Sequence, residues 1–133
     1  MADEWMSRTT ETLSDSAKPI SPGAHAVLDY GVASTYFALW AKMRNTNSAA
    51  AGLALTNAVM VLGLALMTDY PGGVFRTLSF KTHRTMDWIQ AGLAGFGPVM
   101  LGFADSGDAL PFYGQAASEV GVIAATDWDA ATA

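Results

Sequence analysis

The chain has 133 residues, about one domain's worth, and 51% of them are hydrophobic while 14% are charged, against about 25% charged in a typical soluble domain. A net charge of -5 with seven Lys or Arg and no basic block excludes a phosphate-neutralising nucleic-acid surface. The absence of cysteine excludes disulfides, thiolate metal sites, iron-sulfur ligation and a Cys nucleophile.

Residues 1–19 form a polar tail of mixed charge, without the basic, apolar and small-residue regions of a signal peptide, so the first internal span is expected to direct insertion. Ala24 to Met43 then runs apolar except for His25, Asp29 and Lys42. Arg44 to Ser48 makes a turn, and Ala49 to Thr68 contains no charge at all. The connector Asp69 to Arg84 carries the helix stop Pro71-Gly72-Gly73. Span three is expected over Thr85 to Ala104, a turn over Asp105 to Asp108, span four over Ala109 to Thr126, and a short tail over 129–133. Spans of about 18 to 20 residues rise about 27 to 30 Å, the thickness of a bilayer's hydrocarbon core. A soluble bundle would show a polar stripe at helical spacing, and Leu53 to Met67 offers only Thr56 and Asn57. The expected fold is all-α, with four transmembrane helices.

Sliding the chain against itself by 58 residues superposes His25 on His83, Asp29 on Asp87, Gly63 on Gly121, and Thr68-Asp69 on Thr126-Asp127. Tyr30 falls on Trp88 and Tyr70 on Trp128 in the same register. So many rare residues in phase imply a tandem duplication of a two-helix hairpin, with copies at about 20–70 and 78–128. Two crossings per copy return the chain to its starting side, so His25, Asp29, Asp69, His83, Asp87 and Asp127 are expected at one membrane face. That face carries five basic residues near the spans and the other two, which places both termini in the cytoplasm. Phe75, Arg76, Phe80 and Lys81 suit the headgroup layer as anchors. Small residues at four-residue spacing are expected to form the packing seams: Ala50/Ala54/Ala58, Ala91/Gly95 and Ala117/Gly121/Ala125.

His83 with Asp87-Trp88, Gly97-Pro98-Val99 followed by Leu101-Gly102-Phe103, and Thr126-Asp127-Trp128 together resemble the SPW-repeat family of small bacterial membrane proteins, over residues 20 to 128. The family's Ser-Pro-Trp triplet is replaced by Gly97-Pro98-Val99 in the second copy and Leu39-Trp40-Ala41 in the first. The resemblance implies a multi-pass protein of the bacterial inner membrane and carries no activity with it.

His25 with Asp29 and His83 with Asp87 are four residues apart, hence on one helical face. A paired metal, haem or proton site is the sharper reading. The plainer one is a structural clamp, in which Asp in a first helical turn meets the positive helix end and His25, His83 or Arg84 compensates Asp69 and Asp127 at helix C-termini. The clamp is the reading taken, with no cofactor, no metal and no catalytic residue expected. Glu119 lies inside span four, about 9 Å from its end, with Gln115 one turn back, where an ionised carboxylate costs several kcal/mol unless paired. No nucleophile elbow, phosphate loop or zinc-protease motif is present. The expectation is therefore a non-catalytic accessory or scaffold subunit, partnered by other membrane subunits and lipids within a larger complex such as a photosynthetic or respiratory one, with no nucleic acid or soluble substrate. A proton- or ion-linked transporter using Glu119 and the His/Asp cluster is the alternative.

Overall fold

The computed structural model describes residues 18–132 and contains four α-helices and no strand among them: α1 (Pro22–Met43), α2 (Ser48–Met67), α3 (Phe80–Met100) and α4 (Leu110–Ala125), the last entered through a 3₁₀ turn at Gly107–Ala109. Most of the polar tail expected at 1–19 lies outside the described residues.

Local chemistry sets the helix ends. Ser21, Asn47 and Ser79 cap α1, α2 and α3, each accepting from the backbone N–H three residues on. The cap at Ser79 starts α3 five residues earlier than expected, because the exposed Lys81 and Arg84 belong to its first turns and not to the connector. Pro98 falls in the last turn of α3, which ends at Met100, four residues before the expected end, and Gly102, with φ of 79°, turns the chain away.

Helix α1 packs chiefly on α2, and α3 on α4, so the chain forms two hairpins that meet mainly through α2 and α3. Ala50, Ala54 and Ala58 are fully buried, as their spacing implied. At the α2–α3 crossing Leu53 lies over Gly97, where a Cβ would stand 2.5 Å from a Leu53 methyl. One core, around Tyr36, Met43, Ala54, Phe103 and Phe112, fills the end that holds the two short turns. There Asn47 Nδ2 donates to Asp108 Oδ2 at 3.0 Å and ties one turn to the other. A second core, around Ala26, Ala65, Tyr70, Phe80, Ile123 and Trp128, fills the end near the termini.

The four-span expectation is met in part, and two others are corrected. Among the described residues only α2, with a mean hydropathy of 2.0, is both long and apolar enough to cross a membrane on those grounds alone. Helices α1 and α3 each carry a His and an Asp, with one basic residue in α1 and two in α3, and α4 has 16 residues and contains Glu119. The Ala117/Gly121/Ala125 seam does not pack inside: Ala117 and Gly121 are exposed, and nothing lies within 4 Å of a Cβ placed on Gly121. Phe80 is buried in the second core and does not anchor at a surface, whereas Phe75 is exposed.

Candidate functional site

His25 and His83 are each the fourth residue of their helix, and Asp29 and Asp87 each the eighth. One turn of helix places each Asp below its His on the same face. The ends of the helices then bring the two pairs together. Ile20, just before α1, bridges to Thr126 just after α4, and Leu78, just before α3, bridges to Thr68 just after α2. The backbone bonds repeat at the same offset: Asp127 N–H to Ile20 O at 2.9 Å and Asp69 N–H to Leu78 O at 2.7 Å, Ile20 N–H to Ala125 O at 3.1 Å and Leu78 N–H to Met67 O at 2.9 Å. Each of these contacts has its counterpart 58 residues along the chain.

The result is a buried quartet. His25 and His83 are 1% exposed, Asp87 3% and Asp29 8%, and the imidazole centroids lie 5.2 Å apart. His25 Nε2 is 3.4 Å from Asp29 Oδ1 and 3.1 Å from Asp87 Oδ2. His83 Nε2 is 3.2 Å from Asp29 Oδ2 and 3.1 Å from Asp87 Oδ1. Nitrogen and carboxylate therefore alternate around a closed ring, with Tyr70, Phe80 and Trp128 packed around the imidazoles.

The outer nitrogens fix the tautomers. Thr68 Oγ1 donates to Leu64 O at 2.5 Å and Thr126 Oγ1 to Val122 O at 2.6 Å, so each hydroxyl has spent its hydrogen on its own helix. Each threonine can then only accept, from His83 Nδ1–H at 2.6 Å and His25 Nδ1–H at 2.9 Å. With Nδ1 protonated in both rings, both Nε2 atoms face carboxylate oxygens, and neither makes a hydrogen bond. A neutral imidazole beside an ionised carboxylate is repulsive, so each Nε2 needs a proton or a cation between it and those oxygens.

Asp29 has one further partner, the Tyr70 hydroxyl, which donates to Oδ2 at 2.7 Å. Burial, and then the neighbouring Asp29 carboxylate, push the Tyr70 phenol above its usual range. The residue 58 positions on, Trp128, donates instead to Ile123 O at 2.9 Å.

Of the six clustered residues read from the sequence, His25, Asp29, His83 and Asp87 come together, and Asp69 and Asp127 do not join them. Asp69 is half exposed and lies 3.8 Å from Arg76, while Asp127 Oδ1 accepts from the Asp129 N–H. The two threonines beside them meet the histidines, since a hydroxyl already bound to its helix accepts from an imidazole without bringing a charge. Arg84 sits over the Trp128 ring at 5.9 Å rather than on a carboxylate. Neither Asp lies in a first helical turn, so the helix dipole does not account for them. Thr68, Thr126 and Tyr70 are the site residues that sequence reasoning missed, although all three stood in phase in the 58-residue register.

Glu119 faces the same region. A cavity of about 50 Å³, room for one or two waters, is lined by His25, Asp29, Asp87, Gln115, Ser118 and Glu119. Glu119 Oε2 is buried there without a hydrogen-bond partner. Compared with family models, curated proteins and solved structures, the chain matches none.

Proposed function

We propose that this chain is a multi-pass membrane protein of four crossing helices, built from a duplicated hairpin of SPW-repeat type, and that it serves as a non-catalytic accessory subunit of a bacterial inner-membrane complex. The carrying observation is the distribution of exposed charge. Among the described residues, every exposed Lys, Arg, Asp or Glu lies in a connector, in a terminal segment or within five residues of a helix end. Between those ends the exposed surface is apolar, with Val27, Val59, Trp88, Ile89, Phe96, Val99 and Val120 on it. Of the residues that lower the hydropathy of α1 and α3, His25, Asp29, His83, Asp87 and Gln90 are buried, and the exposed Lys42, Lys81 and Arg84 lie near helix ends, so lipid would meet an apolar middle. Three exposed hydroxyls agree: Ser34, Thr35 and Thr56 each donate to the carbonyl four residues back, leaving none of the three a hydrogen for lipid to satisfy. The helices are about 33, 30 and 32 Å long, and α4 with its 3₁₀ turn about 30 Å, which suits a hydrocarbon core of about 30 Å.

A subunit role follows from what the exterior leaves uncovered. Gly114, Ala117, Ser118, Gly121 and Ala124 form an exposed ridge of small residues along α4, of the kind that lets another helix approach closely. The contacts that recur every 58 residues support the duplication, and the equal treatment of both halves supports a common topology. Alkaline extraction of membranes should leave the protein in the pellet, and mild-detergent purification should recover it in fixed ratio with other subunits. Release into the supernatant would remove the membrane reading, and a lone monomer would remove the subunit reading. The cavity joining Glu119 to the quartet favours a second reading, a proton- or ion-linked transporter. It requires Glu119→Gln to abolish a proton-dependent flux in liposomes.

A further inference from the structure

We propose that His25, Asp29, His83 and Asp87 bind one divalent transition-metal ion, of the class that includes Zn²⁺, Fe²⁺, Co²⁺ and Mn²⁺, through the two imidazole Nε2 atoms and an oxygen from each aspartate. The site goes beyond the subunit role and does not depend on it.

Three observations carry it. The first is polarity: both Nδ1–H groups are committed to Thr68 and Thr126, so both Nε2 lone pairs converge on the carboxylates with nothing between them. That second-layer arrangement, an acceptor fixing the tautomer of a ligand imidazole, is the one metal-bound histidines require.

The second is distance. If both histidines were imidazolium, charge-assisted N–H···O contacts of about 2.7–2.9 Å would be expected. Four ligands at about 2.0–2.1 Å around a tetrahedral ion lie about 3.3–3.4 Å from one another. The four N···O separations, each imidazole meeting a different oxygen of each aspartate, run from 3.1 to 3.4 Å, and one ligand atom from each residue falls within 4.8 Å of all the others. The contacts are longer than charge-assisted ion pairs, and the four residues stand close enough for one ion to reach an atom of each after small side-chain shifts.

The third is charge. Two aspartates and the nearby Glu119 face two imidazoles, and the cavity running from Glu119 to His25, Asp29 and Asp87 gives a cation an acidic route to the quartet. Two nitrogens and two carboxylate oxygens select the borderline d-block ions. They are too few and too nitrogen-rich for Ca²⁺ or Mg²⁺, and they lack the thiolates that favour Cu⁺.

The test uses the full chain in detergent, carrying no histidine tag, stripped with a chelator and then loaded with Co²⁺ or Zn²⁺. One ion per chain by elemental analysis is expected, with the strong visible bands of tetrahedral Co²⁺ and a rise in the unfolding temperature on Zn²⁺ addition. His83→Gln and Asp87→Asn should each lose the ion and the bands. A wild-type chain that retains no ion, or gives only the weak spectrum of hydrated Co²⁺, overturns the proposal. So do variants that keep their helical content and still bind metal as the wild type does. Should a variant fail to fold, the Co²⁺ spectrum and stoichiometry of the wild type decide the matter alone.

Discussion

Replacing Thr68 by Val keeps the shape of the side chain and removes one oxygen, and that oxygen is the acceptor for His83 Nδ1–H at 2.6 Å. The lost hydroxyl also donates to Leu64 O, but that carbonyl keeps the Thr68 backbone N–H at 3.0 Å, so only the imidazole donor is orphaned. Thr68 is fully buried, and water cannot replace it without a cavity. Leaving one buried donor unpaired costs about 1–3 kcal/mol of stability. If an ion is bound, loss of the tautomer-fixing partner lowers its affinity about 10–100-fold, which is about 1.4–2.7 kcal/mol. The assay is thermal unfolding in detergent, run on metal-free and on Zn²⁺-loaded protein. Thr68→Val should melt lower in both states, and the stabilisation gained on adding Zn²⁺ should shrink. Thr126→Val should repeat the result through His25. Unchanged melting in the metal-free protein would mean that the hydroxyl is not the partner of His83, and the tautomer assignment would fall with it.

Gly73→Ala should be among the most damaging single changes in the chain, costing about 3 kcal/mol or failing to fold, because its Cβ would stand 1.9 Å from the Thr68 backbone oxygen, which cannot swing aside. Unfolding by denaturant checks it. Gly97→Ala should cost about 1–3 kcal/mol by pressing on buried Leu53, and combining it with Leu53→Ala should cost less than the sum of the two single changes, measured as a double-mutant cycle. Glu119→Gln should leave the metal stoichiometry at one ion per chain and slow Co²⁺ uptake about tenfold, followed by stopped-flow absorbance, since the carboxylate lines the approach and not the quartet.

Four helices were legible because apolar length and turn chemistry are local properties. Asn47 caps where a short polar turn precedes an apolar run, and the 58-residue register puts His25 and His83 at one end of the molecule, where they meet. Charge alone misplaces boundaries, since Lys81 and Arg84, which read as connector residues, occupy exposed positions in the first turns of a helix. Which side of a helix faces inward was less legible. In α4 apolar and small residues occur on every side, so Ala117 and Gly121 carried no sign of being outside. The partners of the histidines escaped for a different reason. Charge complementarity favoured Asp69 and Asp127, but a carboxylate is too costly to bury beside two others when a neighbouring threonine can accept the same proton.

Positions 58 apart divide into those that agree and those that differ, and the two sets do different work. His25/His83, Asp29/Asp87 and Thr68/Thr126 agree, and together they close the quartet that joins one hairpin to the other. Val61/Glu119, Val32/Gln90 and Ala94/Tyr36 differ, and in each pair the polar member has a buried atom without a hydrogen bond. Three such atoms are expensive in any interior, about 1–3 kcal/mol each, and a chain needing only a stable bundle would hold Val or Ala there, as it does at the counterpart positions. The agreeing residues thus account for why the fold holds, and the differing ones mark the interior where its particular role is written. Substituting Glu119 and Gln90 by their counterpart Val, and Tyr36 by Phe so that the core ring stays and only its hydroxyl goes, tests this division: the bundle and its metal stoichiometry should survive, while association with neighbouring subunits, or flux, should be lost. Loss of the fold itself would refute it.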